Sequence, residues 1–453
     1  MMQGSVLALL LSLASLAAPA QNNPQGPPAG PNPQTPRGEP AVGSRLRLIP
    51  GLRIDLNRLF AADSTEVRHE PGQVLVLWPD VESANAGLAW IAQREQLVPA
   101  EQHALAALGG MLALFQLSDD AQARGLRDRL RAAQPHWVVD LNARATAQQR
   151  DRSGADAAPA ANAPPRLYAL AMLGLKPAAL TLPALRVGVI DSALDPAWQR
   201  PEAAQVWNGS TLQLRSMLGP TDVAAADSHG QQVAMLLAGA ALSNGFVGAA
   251  PAVHLHWAIA MRRSGQTSST HSLLLARALD WLVGQQVQLI NLSAGGAGDD
   301  ILRTVVAQVL ARGVTLLAAA GNRPDTLAVY PAAYAGVWAV TAVDATGQAY
   351  AQASRATHVS FAAPGVDVWV PDAAALAAVM QSSDGRYVSG TSYATALASG
   401  AVARLGPEFW RLEPAARRQR LCDQARRSAT EPSLLGCGLL RLDLLAEGPF
   451  GRP

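Results

Sequence analysis

Charged residues, and lysine above all, are scarce in this chain of 453 residues. They make up 15% of the sequence, the net charge is +2, and Lys176 is the only lysine beside the arginines. Proteins that bind nucleic acid need a dense basic surface to neutralise phosphates, and this weak, scattered charge does not supply one. We therefore expect no nucleic-acid partner. The length favours two or three globular domains.

Long apolar runs are also missing, apart from one at the N-terminus. The run from Val6 to Ala18 is too short to span a bilayer, and Ala18-Pro19-Ala20 has the small-x-small form of a signal-peptide cleavage site. Residues 1–20 are therefore predicted to be a signal peptide, with no membrane span in the mature chain. We expect a secreted or periplasmic protein.

Only two cysteines are present, Cys422 and Cys437. So few exclude a disulfide-rich scaffold and a zinc site built from several cysteines. In an exported protein the two thiols are predicted to form a disulfide, because the compartments outside the cytosol are oxidising. Two reduced, buried thiols are the alternative.

Proline-rich stretches divide the rest of the chain. Residues 21–43 are typical of an extended linker, and the Ala/Pro-rich residues 144–165 are typical of a tether. Between them, residues 44–143 alternate strand-like and amphipathic helical segments, which predicts a compact α+β domain with no visible site of its own. Residues 166–453 are predicted to form a second, larger domain.

Short apolar runs alternate with helical segments in this larger domain. The predicted strands are 186–191, 253–260, 287–293, 314–322 and 337–343. Continuous apolar strands separated by helices predict an α/β domain with a mostly parallel, doubly wound sheet covered on both faces. Sites in such sheets lie beyond the carboxyl ends of the strands, where Asp191, Ser293 and Asn322 stand.

Ser392 stands at the predicted start of a helix of small residues, in the sequence SGTSYATALASG. A serine at that place commonly caps the helix, so its hydroxyl alone does not indicate chemistry. A hydroxyl attacks a carbonyl when a base takes its proton, and His229, which opens another helix, is a candidate base. Asp191 could fix the tautomer of that imidazole, and the amide of Asn322 could donate to an oxyanion.

Five motifs carry a family resemblance. In order they are VIDSALD, DSHGQQVA, INLSAGG, AAAGN and SGTSYATA, and together they resemble the subtilisin-like serine proteases, the peptidase S8 family, over roughly residues 166 to 446. The order Asp, His, Ser is the subtilisin order. The resemblance implies that Ser392 is the nucleophile, that His229 is the general base and acid, and that Asp191 orients the histidine.

The resemblance also implies a substrate site. Asn322 would share the oxyanion hole with the backbone N–H of Ser392, and Ser293, Ala294 and Gly295 would pair with an extended substrate. Val329 stands where the family lines its primary pocket, often with glycine. Because a branched side chain shortens that pocket, we expect a preference for small P1 residues.

Residues 44–143 are similar to the family's inhibitory propeptide, a ferredoxin-like α+β domain. The resemblance therefore implies a monomeric endopeptidase that is made as a zymogen, cuts polypeptides through an acyl-enzyme and is inhibited by its own propeptide. Many members bind calcium, but no acidic cluster here matches a ligand loop, so no metal site and no cofactor are predicted.

Four positions depart from the family's pattern. The usual Gly, Thr, His and Pro are replaced by Ala193, Gln231, Gln232 and Ala396. These departures leave open a second hypothesis, an inactive pseudoprotease that acts as a binding or chaperone module. A third, an esterase of the α/β-hydrolase kind, is disfavoured because its order is Ser, Asp, His.

Overall fold

The computed structural model describes residues 46–49, 52–54, 68–148, 164–175, 185–199, 207, 210–219, 222, 228–242, 245–250, 252–264, 267–371, 385–427 and 434–443. The expected signal peptide, the Pro-rich linker and residues 149–163 of the expected tether lie outside these ranges. The chain forms two compact units, Met1–Thr65 and Glu66–Pro453. In the first, β1 (Leu46–Ile49) and β2 (Leu52–Ile54) form an antiparallel hairpin.

The second unit begins with the expected α+β domain. Its elements follow the order βαββαβ: β3 (His69–Trp78), α1 (Val81–Glu95), β4 (Glu101–Leu105), β5 (Gly110–Gln116), α2 (Asp120–Ala133) and β6 (Val138–Ala147). The strands are antiparallel in the order β6-β3-β5-β4, which is the ferredoxin-like arrangement that the sequence predicted. Strand β6 continues through Ala147, beyond the expected domain boundary at residue 143.

Successive side chains of β3 point to opposite faces of this sheet, and both faces are apolar. Val74 and Val76 face α1 and α2 and form a small core with them. Leu75 and Leu77 point the other way and pack into the core of the larger domain. A fully buried leucine contributes roughly 2 kcal/mol, so the second face attaches the small domain to the large one.

The larger domain contains a seven-stranded parallel sheet in the order β16-β15-β14-β12-β7-β9-β8. Its strands are β7 (Arg186–Asp191), β8 (Thr211–Ser216), β9 (His254–Ile259), β12 (Leu289–Leu292), β14 (Thr315–Ala319), β15 (Trp338–Val343) and β16 (Val359–Pro364). All five predicted strands are among them. The sequence did not predict the edge strands β8 and β16.

Helices cover both faces of this sheet, as expected for a doubly wound fold. Along the chain they are α3 (Tyr168–Met172), a 3₁₀ turn (Pro196–Gln199), α4 (Ser228–Ala238), α5 (Ser272–Gly284), α6 (Asp300–Ala311), α7 (Thr391–Ala403), α8 (Pro407–Trp410) and α9 (Pro414–Gln424). Helices α4 and α7 pack on one face and α5 and α6 on the other. None of the described helices is long and apolar enough to cross a membrane.

Small residues let α7 run through the core. Every residue from Thr391 to Ala403 is buried, and a Cβ on Gly400 would lie 2.8 Å from the Leu237 carbonyl oxygen of α4. A larger side chain at residue 400 would push the two helices apart, so the small residues of α7 allow it to pack directly against α4. Cys422 in α9 forms the expected disulfide with Cys437.

Five short strands complete the described structure. They are β10 (Arg262–Ser264), β11 (Thr267–His271), β13 (Ala294–Gly296), β17 (Val368–Pro371) and β18 (Gly385–Val388). The strands β17 and β18 pair with each other. The strands β11 and β13 of the large domain both pair antiparallel with β6 of the small domain. The small domain is therefore joined to the large one by backbone hydrogen bonds as well as by leucines.

Candidate active site

Asp191 and His229 form a buried pair at the carboxyl edge of the parallel sheet. Asp191 ends β7 and His229 is the second residue of α4, and both side chains are fully buried. His229 Nδ1 lies 2.7 Å from Asp191 Oδ1. The carboxylate also accepts hydrogen bonds from the backbone N–H (2.8 Å) and the hydroxyl (3.3 Å) of Ser192. A carboxylate held in this way fixes the orientation of the imidazole.

Ser192 supports the histidine from a second side. Its hydroxyl accepts a hydrogen bond from the Gly230 N–H at 3.1 Å. A Cβ on Gly230 would lie 2.6 Å from that hydroxyl oxygen, so residue 230 must be glycine for α4 to approach β7 this closely. Neither residue was predicted from the sequence, although both stand beside triad candidates in the motifs.

Ser392 is the second residue of α7, and the cap position belongs to Gly390. The Ser392 hydroxyl is therefore available for other contacts, and it donates to the Ser293 carbonyl oxygen at 3.0 Å. The next residue, Tyr393, has its ring centroid 5.9 Å from that of His229. The structure thus brings the N-terminus of α7 beside the Asp191–His229 pair.

Asn322 follows β14 and is held by the first residue of α7. Its Oδ1 accepts hydrogen bonds from the backbone N–H and the hydroxyl of Thr391, both at 3.0 Å. With Oδ1 fixed, the amide Nδ2 points away from Thr391; it is buried and has no hydrogen-bond partner among the described residues. A buried amide donor without an acceptor is costly unless a ligand supplies one.

The end of β6 occupies this site. The Gln148 carbonyl oxygen accepts a hydrogen bond from the Ser392 N–H at 3.1 Å, and the Gln148 N–H donates to the Ser293 carbonyl at 3.1 Å. Upstream, Thr146 pairs antiparallel with Gly295. A chain segment therefore lies on β13 as an added strand and ends with its last described carbonyl against Ser392.

The predicted substrate-binding residues all contribute to this arrangement. The Ser293 carbonyl bonds the N–H of Gln148, the residue after β6, and Ala294 pairs with Ala147 of β6. Val329 packs beside Gly295, where a Cβ would lie 2.4 Å from Val329 Cγ1 and 3.3 Å from Gln148 Cδ. A cavity of about 520 Å³ is lined by Gly295, Val329 and Gln148. Sequence reasoning missed Gln148, which it placed in the tether and which no motif distinguishes.

The departures from the family pattern lie close by without displacing these groups. Gln232 accepts a hydrogen bond from the Tyr393 hydroxyl at 2.6 Å, which links α4 to α7 next to His229. Ala396 is buried inside α7, and Ala193 is buried after β7. Among the residues that the structure describes, no group of three or more His, Cys, Asp or Glu side chains is placed to hold a metal ion.

Comparison with known families decides which group of proteins this site belongs to. The sequence model of the Subtilase family, peptidase S8, matches residues 184–438, which contain every residue of the site except Gln148 and its strand. The chain belongs to the subtilase family. Subtilases are serine endopeptidases, so the resemblance drawn from the five motifs is confirmed.

Two named relatives show how far the similarity extends. A thermostable alkaline protease of Halalkalibacterium halodurans is 31% identical over 217 residues, or 47% of this chain and 56% of that protein. Subtilisin E of Bacillus subtilis is 30% identical over 224 residues, or 48% of this chain and 54% of that protein. The subtilase chain thus spans about half the length of the curated relatives it matches.

A solved structure extends the likeness in fold. Fervidolysin from Fervidobacterium pennivorans, described as a keratinolytic enzyme related to subtilisin, matches with a TM-score of 0.65 at 20% identity. The match covers 85% of this chain and 62% of that one. The part of this chain that matches fervidolysin is therefore longer than the 184–438 family match, so the likeness in fold extends beyond the peptidase domain.

Proposed function

We propose that this subtilase is an exported serine endopeptidase that is made as a zymogen. Asp191, His229 and Ser392 would form its catalytic triad, and the domain of residues 44–143 would be its propeptide. The predicted signal peptide and the Cys422–Cys437 disulfide support a secreted or periplasmic location. The proposal includes no cofactor.

One observation carries the proposal. The Gln148 carbonyl oxygen accepts the Ser392 N–H at 3.1 Å while β6 runs antiparallel to β13. This is how a peptide substrate must lie for the Ser392 hydroxyl to attack its carbonyl carbon. Polypeptide substrates would bind in the same way, by strand addition to Ala294 and Gly295, once the propeptide has left.

The neighbouring groups suit each step of acyl transfer. The Ser392 hydroxyl would leave the Ser293 carbonyl, pass its proton to His229 Nε2 and attack the substrate carbonyl carbon. Asp191 would stabilise the resulting imidazolium through Nδ1. The oxyanion would be held by the Ser392 N–H and by Asn322 Nδ2, the buried donor without a partner among the described residues. His229 would then protonate the leaving amine, and water would hydrolyse the acyl-enzyme by the reverse sequence of proton transfers.

The propeptide would inhibit the enzyme by occupying the site. Strand β6 covers β13, and Gln148 covers Ser392, so no other peptide can bind there while the small domain is attached. We expect activity to appear only after the small domain has been cut off and released.

A direct experiment compares the full chain with Ser392→Ala. We expect the wild type to cut itself between the small domain and residue 164 and to react with a fluorophosphonate at Ser392, and the variant to do neither. Processing of both proteins at equal rates would reject self-cleavage. Absence of labelling in a processed wild type would reject the catalytic role.

The pseudoprotease alternative is favoured by one contact. Gln232, where the family usually has histidine, accepts the Tyr393 hydroxyl at 2.6 Å and ties together the helices that carry His229 and Ser392. If that link held Ser392 away from His229, the chain would bind peptides on β13 without cutting them. A folded wild type that binds an extended peptide but is never labelled would support this function instead.

A further inference from the structure

The side chain of Gln148 is held by three polar groups. Its Oε1 accepts a hydrogen bond from the Asn322 N–H at 3.0 Å. Its Nε2 donates to the Gly295 carbonyl at 3.1 Å and, within its own strand, to the Thr146 carbonyl at 3.0 Å. Both ends of the carboxamide are therefore matched to a donor or an acceptor of the right kind.

Val329 borders the space around this side chain, within the cavity of about 520 Å³ that Gln148, Gly295 and Val329 line. Val329 approaches two glycines: a Cβ on Gly295 would lie 2.4 Å from Val329 Cγ1, and a Cβ on Gly321 would lie 2.7 Å from Val329 Cγ2. The two glycine backbones and Val329 thus form a short slot with polar backbone groups along its walls. We expect a large branched or aromatic side chain that enters between Val329 and the two glycines to displace Val329.

We propose that the primary specificity pocket of this subtilase recognises glutamine at P1, and that Gln148–Gln149 is the bond at which the chain processes itself. This inference rests on the proposed endopeptidase function and specifies its substrate. It replaces the small-residue preference expected from Val329: the valine shortens the pocket, but the backbone groups beside it make the pocket selective for a carboxamide.

Electrostatics distinguish glutamine from its closest analogues. Glutamate has the same shape, but it would place a carboxylate oxygen against the carbonyl oxygens of Gly295 and Thr146 and would need to be desolvated. Alanine would leave the Asn322 N–H and the Gly295 carbonyl without these partners. Leucine would do the same and would also contact Val329.

The processing step balances with water as its only co-reactant. Ser392 Oγ bonds to the Gln148 carbonyl carbon as its proton passes to His229. The Gln148–Gln149 bond then breaks, and the amine of Gln149 takes that proton. Water, with His229 again as base, hydrolyses the ester to give a carboxylate on Gln148 and restores the Ser392 hydroxyl.

Mass spectrometry of the purified full chain tests the bond. We expect the wild type to yield a fragment that ends at Gln148 and one that begins at Gln149, both absent in Ser392→Ala. Gln148→Glu should slow processing at this bond about 100-fold. Gln102→Glu is the matched control, because Gln102 is an exposed glutamine of the same domain, and it should process at the wild-type rate. Cleavage of the wild type at another bond would overturn the proposal.

Peptides of the sequence Arg-Ala-Thr-Ala-X-Gln-Arg-Asp test the pocket in the processed enzyme. With X as glutamine we expect kcat/KM to exceed that of alanine or leucine at least about tenfold and that of glutamate about 100-fold. In Val329→Gly the preference over leucine should disappear, because the wall that excludes it is gone. Equal or faster cleavage after alanine or leucine by the wild type would reject glutamine recognition.

Hydrogen exchange tests the pocket without catalysis. In full-length Ser392→Ala the backbone N–H of Asn322 donates a hydrogen bond to Gln148 Oε1. Adding Gln148→Leu removes that acceptor, so the backbone N–H of Asn322 should exchange at least about tenfold faster. Adding Gln102→Leu instead should leave it unchanged. If the Asn322 N–H exchanges at the same rate in the Gln148 variant, the proposed glutamine pocket is wrong even if the enzyme is active. A protected amide together with an unlabelled Ser392 in the wild type would reject the endopeptidase function and keep the pocket.

Discussion

Replacing Glu70 by glutamine should release the small domain, the proposed propeptide, sooner. Glu70 is buried on β3 of the small domain and accepts two hydrogen bonds from Arg144, at 2.9 and 3.0 Å. It also accepts one from Arg262 of the large domain at 2.5 Å. Asp222 lies 3.2 Å from Arg262 on the far side. This alternating chain of charges crosses the contact between the domains, and Glu70 is its central anion.

The expected loss in the free energy of attachment follows from the hydrogen bonds that the Glu70→Gln substitution leaves unmade. The new carboxamide would still accept one hydrogen bond, but its NH₂ group would face a guanidinium that also needs an acceptor. Hydrogen bonds to charged groups contribute about 1.5–3 kcal/mol. The Arg144 and Arg262 side chains are 35% and 29% exposed and can turn to water. We therefore expect the free energy of attachment between the two domains to fall by about 2 kcal/mol. That corresponds to roughly 30-fold weaker attachment.

The assay is the lag before activity appears. After the proposed self-cleavage, a chromogenic peptide should be hydrolysed only as the small domain leaves β13, so the lag reports the rate at which that domain dissociates. Affinity changes among variants of one interface are mostly changes in that rate, so we expect Glu70→Gln to shorten the lag by roughly 30-fold. The rate of the first cleavage should change little.

Glu95→Gln provides the control. Glu95 also pairs with an arginine, Arg129 at 2.8 Å, but that arginine is 58% exposed and both residues belong to the small domain. Exposed pairs contribute about 1 kcal/mol or less, and this one does not cross the contact. An equal lag in wild type and Glu70→Gln, or an equal effect of the two substitutions, would show that the Glu70 network does not hold the propeptide.

Three further predictions concern pH, stability and turnover. Asn142 of the small domain donates through Nδ2 to His271 Nδ1 of the large domain at 3.1 Å, and burial lowers the pKa of His271 to about 4. Because a protonated Nδ1 could not accept this hydrogen bond, we expect attachment to weaken as pH falls from about 6.5, the usual value, toward 4, and His271→Gln should flatten this dependence of the lag. Loss of the Cys422–Cys437 bond in Cys422→Ser should lower the free energy of unfolding by about 3 kcal/mol, measured in denaturant. Asn322→Ala should reduce kcat about 10²–10³-fold, the effect known for the equivalent loss in a subtilisin, with KM nearly unchanged.

The parallel sheet could be predicted because its central strands are covered on both faces. Strands β7, β12 and β14 are mostly apolar, and apart from Arg186 all of their residues are buried. Such short, mostly apolar runs are typical of central strands in a parallel sheet. The edge strand β8 has only alternate residues shielded, in the sequence TLQLRS, and this weaker pattern resembles a loop. Edge strands depend on their one neighbour more than on their own sequence.

The contacts between the domains could not be predicted in the same way. Leu75 and Leu77 alternate with Val74 and Val76, which indicates a strand with two apolar faces but not what covers each one. The pairing of β6 with β13 is made by backbone groups, and these leave no mark in the sequence except glycine. A Cβ on Gly296 would lie 2.1 Å from the Arg144 carbonyl oxygen, and that requirement appears only once the strand is in place.

Asn322 shows why catalysis and specificity can be separated in this site. Its backbone N–H donates to the side chain of Gln148. Its own side chain is held at Oδ1 by Thr391, and its Nδ2 has no partner among the described residues. Truncation to alanine would remove the proposed donor to the oxyanion but keep the backbone donor in the proposed pocket. Turnover should therefore fall equally for glutamine and glutamate peptides, and their ratio should stay constant. A changed ratio would mean that the side chain of Asn322, and not only its backbone, helps to select the residue at P1.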